Sequence, residues 1–241
     1  MKFFARLFPF ILFSCVFGHC RAADVAESGM PHEAQKAFSA CAGLQGVNVV
    51  DDGHVVCLRG KIGPAMFLNV AKSRGEIRNH PYVIVSGEGG YVDSAIYIVR
   101  MLDEYDPVPV AGDMCASACA SFLFLMGRHR VLLHCADVVM HRGLWSIDDI
   151  LTRRIADDVK QRLVANVWQI HDFYDERQVS LDMINKPPAD VQRKLDAGEV
   201  VFWPWSINKL RSFGVKGIVS ENNPDEVVPH DYAETCLAHH G

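Results

Sequence analysis

Between residues 54 and 141 the chain alternates short, densely apolar runs with amphipathic stretches, and proline or glycine stands at most of the joints. The apolar runs cover residues 54–62, 82–86, 108–111 and 137–140. Near-continuous apolar strands of this kind suit a sheet buried on both faces. Between them, Pro64 opens a helix with Met66, Phe67, Val70 and Ala71 on one face, and residues 91–105 set Ala95, Ile96, Ile98, Val99 and Leu102 along another. A strand that returns parallel to its neighbour needs a crossover, so this order specifies an α/β fold with a mostly parallel β-sheet and flanking helices.

The remaining segments attach to that frame. A helix is expected over residues 31–42, a buried one over 117–126, a long amphipathic one over 147–178, and more helix over 181–195, interrupted by Pro187 and Pro188. Residues 199–203 read as a strand, Ser206 caps a short helix ending at Gly214, and residues 215–219 form a last strand. No period of 20–50 residues recurs, which excludes a solenoid. The chain has 241 residues, 49% of them hydrophobic, enough for one domain over residues 24–241 with a core at about 50–220.

The first 23 residues read as a signal peptide. Lys2 and Arg6 precede a short apolar run over residues 8–17, and small residues follow with a cleavage point after Ala22 or Ala23. The run is too short for a stable membrane span, so the mature protein is expected to be exported, periplasmic or secreted. Loss of Lys2, Arg6 and Arg21, with no acid, takes the net charge from −5 to −8. No basic patch remains for nucleic acid. Six cysteines stay in the mature chain, and an oxidising compartment favours pairing. Cys41 with Cys57 would tie the N-terminal segment to the first strand. Cys115 and Cys119 bracket Ser117; their spacing is not that of a zinc knuckle, so a disulfide or buried thiols are expected, and no metal.

Ser117 falls where a strand meets a helix. The unpaired N–H groups at a helix start favour negative charge there, as an oxyanion requires. Ala116 and Ala118 leave its hydroxyl open to approach, although a serine in this place can equally be a helix cap. The glycine turn at residues 87–90 fails as a dinucleotide fingerprint, because its third position is Val92. It is either a plain tight turn or a place where the N–H groups of Gly89 or Gly90 approach a reacting carbonyl. For a general base, His129, His134 and His141 are all available, and spacing does not choose among them.

Three pieces, residues 85–90, 115–119 and 138–141, stand in the order and spacing of the Clp protease/crotonase superfamily, and the chain resembles its exported branch with a Cys-Ala-Ser-Ala-Cys motif. The likeness covers residues 54–145, with an echo at 206–219. It implies a Clp/crotonase-like sheet with a C-terminal helical extension. It also implies Ser117 as nucleophile, His141 as base, and N–H groups of Gly90 (or Gly89) and Ala118 as the oxyanion hole. The expected activity is a serine hydrolase, a peptidase acting on peptide or protein substrates, without cofactor, in a homo-oligomer. The family's third residue, an aspartate, falls near Phe202 in this chain; Glu199, Asp196 or the more distant Asp190 would have to replace it. Related signal-peptide peptidases use a lysine base, for which Lys160 is the candidate. An inactive binding or scaffold protein of the same fold is the other class. An acyl-CoA enzyme of the crotonase type is less suited to an exported chain.

Overall fold

The computed structural model of the chain describes residues 22–134, 136–141, 146–199, 202–220 and 224–225, with side chains from residue 29. The expected leader up to residue 21, Cys135 and the tail after residue 225 lie outside the described residues. The fold is α/β, a mostly parallel curled sheet flanked by helices. Helix α1 (Ala22–Ala40) leads into the antiparallel pair β1 (Gly46–Val50) and β2 (Val55–Ile62). Helix α2 (Pro64–Ser73) crosses over to β3 (Tyr82–Gly90), parallel to β2, and α3 (Val92–Leu102) crosses to β4 (Val108–Ala111), parallel to β3.

From there the chain breaks its strands in two. A turn at Gly112 and Asp113 separates β4 from β5 (Met114–Ala116), and α4 (Ala118–Ser121) follows. A second turn separates β6 (Arg130–Leu132) from β7 (Asp137–Met140). Helices α5 (Ile147–Thr152), α6 (Asp157–Arg177), α7 (Asp182–Asn185) and α8 (Ala189–Asp196) precede β8 (Trp203–Pro204), α9 (Ile207–Ser212) and β9 (Ile218–Ser220). The first halves pair as β4–β6–β9 and the second halves as β5–β7–β8. Strand β3 serves both branches: Tyr82, Val83 and Ile84 pair with β4, whereas Gly87 pairs with Cys115 of β5. The sheet therefore forks on β3, and the ends of β5 and β7 are brought side by side.

Alternation along the strands divides the core. Val56, Leu58, Val83 and Val85 face α3 and the short helices, where Ile96, Ile98 and Leu102 are fully buried. Val55, Cys57, Ile84, Val110 and Val131 face the other way, against Ala34 and Ala37 of α1. Cys41 and Cys57 are disulfide-bonded across that second face, tying the end of α1 to β2. Removing this bridge by Cys41→Ala and Cys57→Ala is expected to destabilise the fold by about 3 kcal/mol, because a loop of some fifteen residues is freed in the unfolded chain. A shift of the urea midpoint of the oxidised protein measures it.

Three expectations are corrected, and one strand was not anticipated. The buried helix over 117–126 is only α4, one turn, followed by a 3₁₀ turn at Leu123–Leu125; Phe122 breaks it with φ −132° and ψ −58°. The long helix over 147–178 is two, because residues 153–156 leave the helix and the acids Asp157 and Asp158 start a new one. Helix α1 begins before Pro31 and passes through it, losing one bond but not its course. Strand β1 has no counterpart in the sequence reading; it is half-buried throughout and lacks a sharp apolar alternation.

Candidate active site

Ser117 occupies the corner between β5 and α4 with φ 57° and ψ −123°. L-residues avoid this region at a cost of roughly 1–3 kcal/mol, so the surroundings must impose it. On the strand side, Ser117 N–H donates to Val139 O at 3.0 Å, continuing the pairing of Ala116 with Val139. On the helix side, Ser121 N–H donates to Ser117 O at 2.8 Å. The serine stands at the N-cap position, yet its hydroxyl makes no cap hydrogen bond. It lies instead 2.5 Å from Nε2 of His141.

His141 follows β7 directly, and the pairing of β5 with β7 sets it opposite the serine corner. Among the three histidines that composition offered, His129 and His134 are exposed. The next strand supplies the neighbour of the imidazole. Trp203 pairs with Met140, so Phe202 comes level with His141, and the two rings meet edge to face with centroids 5.5 Å apart. Phe202 stands at the position where an orienting acid was sought, and the structure has its phenyl ring against the imidazole. Glu199 is exposed beyond the end of α8, with its N–H on Lys194 O. Asp196 side-chain oxygen accepts from Gln192, and Asp190 is exposed on α8.

The glycine turn reaches the same corner. Gly89 has φ 89°, and a Cβ built there would stand 2.6 Å from Ala116 O and 2.7 Å from both Ala118 N and Ser117 Cβ. Only glycine permits so close an approach. Gly90 and Ala118 share with Ser117 and His141 the wall of a pocket of about 120 Å³. Its apolar wall comes from Val92, Phe122, Ile170 and Ile184, so α6 and α7 close it. Lys160 is on α6, where its Nζ donates to Leu151 O at 3.1 Å and lies 4.0 Å from Asp157. The structure thus brings together Ser117, His141, Gly89, Gly90 and Ala118, and fastens Lys160 to α5.

Two supports were not read from the sequence. Tyr174 of α6 is buried, and its hydroxyl donates to Ser121 O at 3.1 Å, which anchors α4 from behind; burial pushes its phenol well above the usual range, opposed by that hydrogen bond. Asp113, in the turn before β5, is bonded by Arg59 Nη2 at 2.5 Å, and its carbonyl accepts from Asp137 N–H at 3.2 Å. Burial raises the Asp113 carboxyl above its ordinary value, opposed by the Ser86 hydroxyl and by Arg59. Both are single polar residues in an ordinary context, and only pairing across the fold gives them a role.

A larger cavity, of about 420 Å³, lies away from the corner and is walled by Arg128, Arg130, Arg177 and Lys216 among others. Its cations are engaged. Arg130 donates to the carbonyls of Phe124, Gly127 and Lys216, Arg177 to Asp103 and Leu125 O, and Arg128 to Asp106. Burial, with the charge of Arg177, lowers the Arg130 pKa to about 10, which leaves it charged at neutral pH. These groups fasten the approach to β6 to the approach to β9. No group of three His, Cys, Asp or Glu among the described residues could hold a metal ion.

Cys115 and Cys119 are disulfide-bonded across Ser117. With the Cys41–Cys57 bond, the described residues hold two disulfides, and no described helix is long and apolar enough to cross a membrane. Compared with protein-family models and with curated proteins, the sequence matches none.

Proposed function

We propose that the chain is an exported serine hydrolase of Clp/crotonase-like fold, a peptidase acting through Ser117 and His141. The observation that carries this reading is the 2.5 Å approach of Ser117 Oγ to His141 Nε2, made from a strained strand-to-helix corner that faces a pocket. A serine caps helices without strain and without a histidine; strain aimed at an imidazole is the arrangement of an activated nucleophile. In the reaction, Nε2 takes the hydroxyl proton as Oγ attacks the substrate carbonyl carbon. The oxygen gains negative charge and is met by N–H groups of Gly90 and Ala118. The imidazolium returns its proton to the leaving amine, and the acyl-serine is then hydrolysed by water that His141 deprotonates. Two disulfides fit an oxidising compartment.

A fluorophosphonate probe tests the reading, since it phosphonylates an activated serine whatever the natural substrate. The oxidised, folded chain should become labelled at Ser117, with labelling absent in Ser117→Ala. An unlabelled native chain, tested across pH, sinks the hydrolase reading and leaves a binding or scaffold protein of the same fold.

A further inference from the structure

We infer that the Cys115–Cys119 disulfide is the positioning device of the nucleophile: it holds the Ser117 corner so that Oγ faces His141, and the protein reacts at its full rate only in its oxidised form. The inference rests on the hydrolase reading above and adds what sustains the geometry. The strand side of the corner is well held, by the β5–β7 pairing and by Ser117 N–H on Val139 O. The helix side is held from behind, where Tyr174 Oη donates to Ser121 O, but at the corner it has only the single bond from Ser121 N–H to Ser117 O. Helix α4 has four residues and ends at Phe122, and one turn is far below the length at which a helix sustains itself. The ordinary remedy is a side-chain cap, which Ser117 does not make, because its hydroxyl is given to His141. Ala116 and Ala118 have no side-chain group that could hold the corner in its place.

The disulfide spans this weak point. Cys115 belongs to β5 and Cys119 to α4, four positions apart, with Cα atoms 5.2 Å from each other. The bond therefore ties the strand to the helix across the strained residue itself. Both cysteines are buried, at 0% and 1% exposure, so the bridge is shielded from exchange in the folded protein and acts as a lock. The Cys41–Cys57 bond is equally buried, but it closes a longer loop and lies on the other face of the sheet. A longer loop restrains the unfolded chain more, so that bond serves the fold as a whole, whereas Cys115–Cys119 acts locally. Opening the lock takes two electrons from a dithiol: the S–S bond breaks, each cysteine sulfur gains a proton, and the dithiol becomes its own disulfide.

The experiment compares Cys115→Ala/Cys119→Ala with Cys41→Ala/Cys57→Ala, each as the full chain and well below its unfolding midpoint. Hydrogen exchange is read at the amides of residues 118–121, and fluorophosphonate labelling is followed against pH. In the first variant, exchange should quicken about tenfold or more, labelling should slow about 10²-fold, and the pH profile of labelling should flatten. Cys115→Ala or Cys119→Ala alone should do as much as the pair, because either removes the bridge. The second variant should change neither readout. Should the first variant not fold, the Cys41→Ala/Cys57→Ala chain kept in a dithiol, with reduction of Cys115 and Cys119 verified by alkylating an unfolded aliquot, provides the same comparison. Unchanged exchange and unchanged labelling without the bridge overturn the inference. Quickened exchange in a chain that no form of the probe labels upholds the lock and sinks the hydrolase reading instead.

Discussion

His141→Ala is expected to lower the rate of fluorophosphonate labelling at Ser117 by about 10⁴-fold, the upper range for loss of a general base. A serine hydroxyl is a weak nucleophile near neutral pH, and the group within reach of its proton is the imidazole, 2.5 Å away. The substitution leaves the corner intact, because Ser117 is held through its backbone bonds to Val139 and Ser121 and not through the ring. His141 is only half-buried beyond the end of β7, so its loss should leave the circular dichroism spectrum and the urea midpoint near those of the parent. The competing base is Lys160. Its Nζ is engaged with Leu151 O and held near Asp157. Lys160→Ala is therefore expected to label within about threefold of the parent, since surface changes outside the site are small. A loss of labelling in Lys160→Ala, with His141→Ala unaffected, assigns the proton transfer to the lysine and ends the histidine's part.

The parallel sheet was legible because its strands are short apolar runs with crossovers between them. Runs 54–62, 82–86 and 108–111 reappear as β2, the first part of β3, and β4. What composition could not carry is the interruption of structure without proline or glycine. Phe122 ends α4, and residues 153–156 part α5 from α6, in sequence that is compatible with helix throughout. In both places tertiary contacts decide: Phe122 packs edge-on against Phe173 and Tyr174, and Lys160 reaches back across the break to Leu151. The candidate site divides in the same way. Ser117 and the glycine turn stand out locally, by strand-to-helix position and by glycine spacing. The histidine does not, since three are available and the choice depends on β5 pairing with β7. Phe202 against the imidazole follows from the register of β8 on β7, a pairing that begins only at Trp203. Register across strands far apart in sequence is where sequence patterning stops being informative.

Gly89→Ala should lower labelling by about 10³-fold and destabilise the chain by about 3 kcal/mol, because the added methyl has no flexible neighbour to displace. Its three nearest atoms would be Ala116 O, Ala118 N and Ser117 Cβ, at 2.6, 2.7 and 2.7 Å. All belong to the corner itself, and two are backbone. Relief must come from moving the end of β3 or the corner, and either carries Oγ away from Nε2 or draws the Ala118 N–H back from a developing oxyanion. Part of the cost comes from φ 89°, which an L side chain resists. Gly198 separates that part from the collision. It has φ 84° with no atom within 4 Å of a built Cβ, so Gly198→Ala carries the backbone penalty alone. Gly198→Ala should lose about 1 kcal/mol and label at the parent rate. The difference between the two alanine variants then measures how closely the glycine turn and the serine corner are fitted. Equal labelling by Gly89→Ala and the parent would show that the corner yields without consequence, and the turn would have no part in the site.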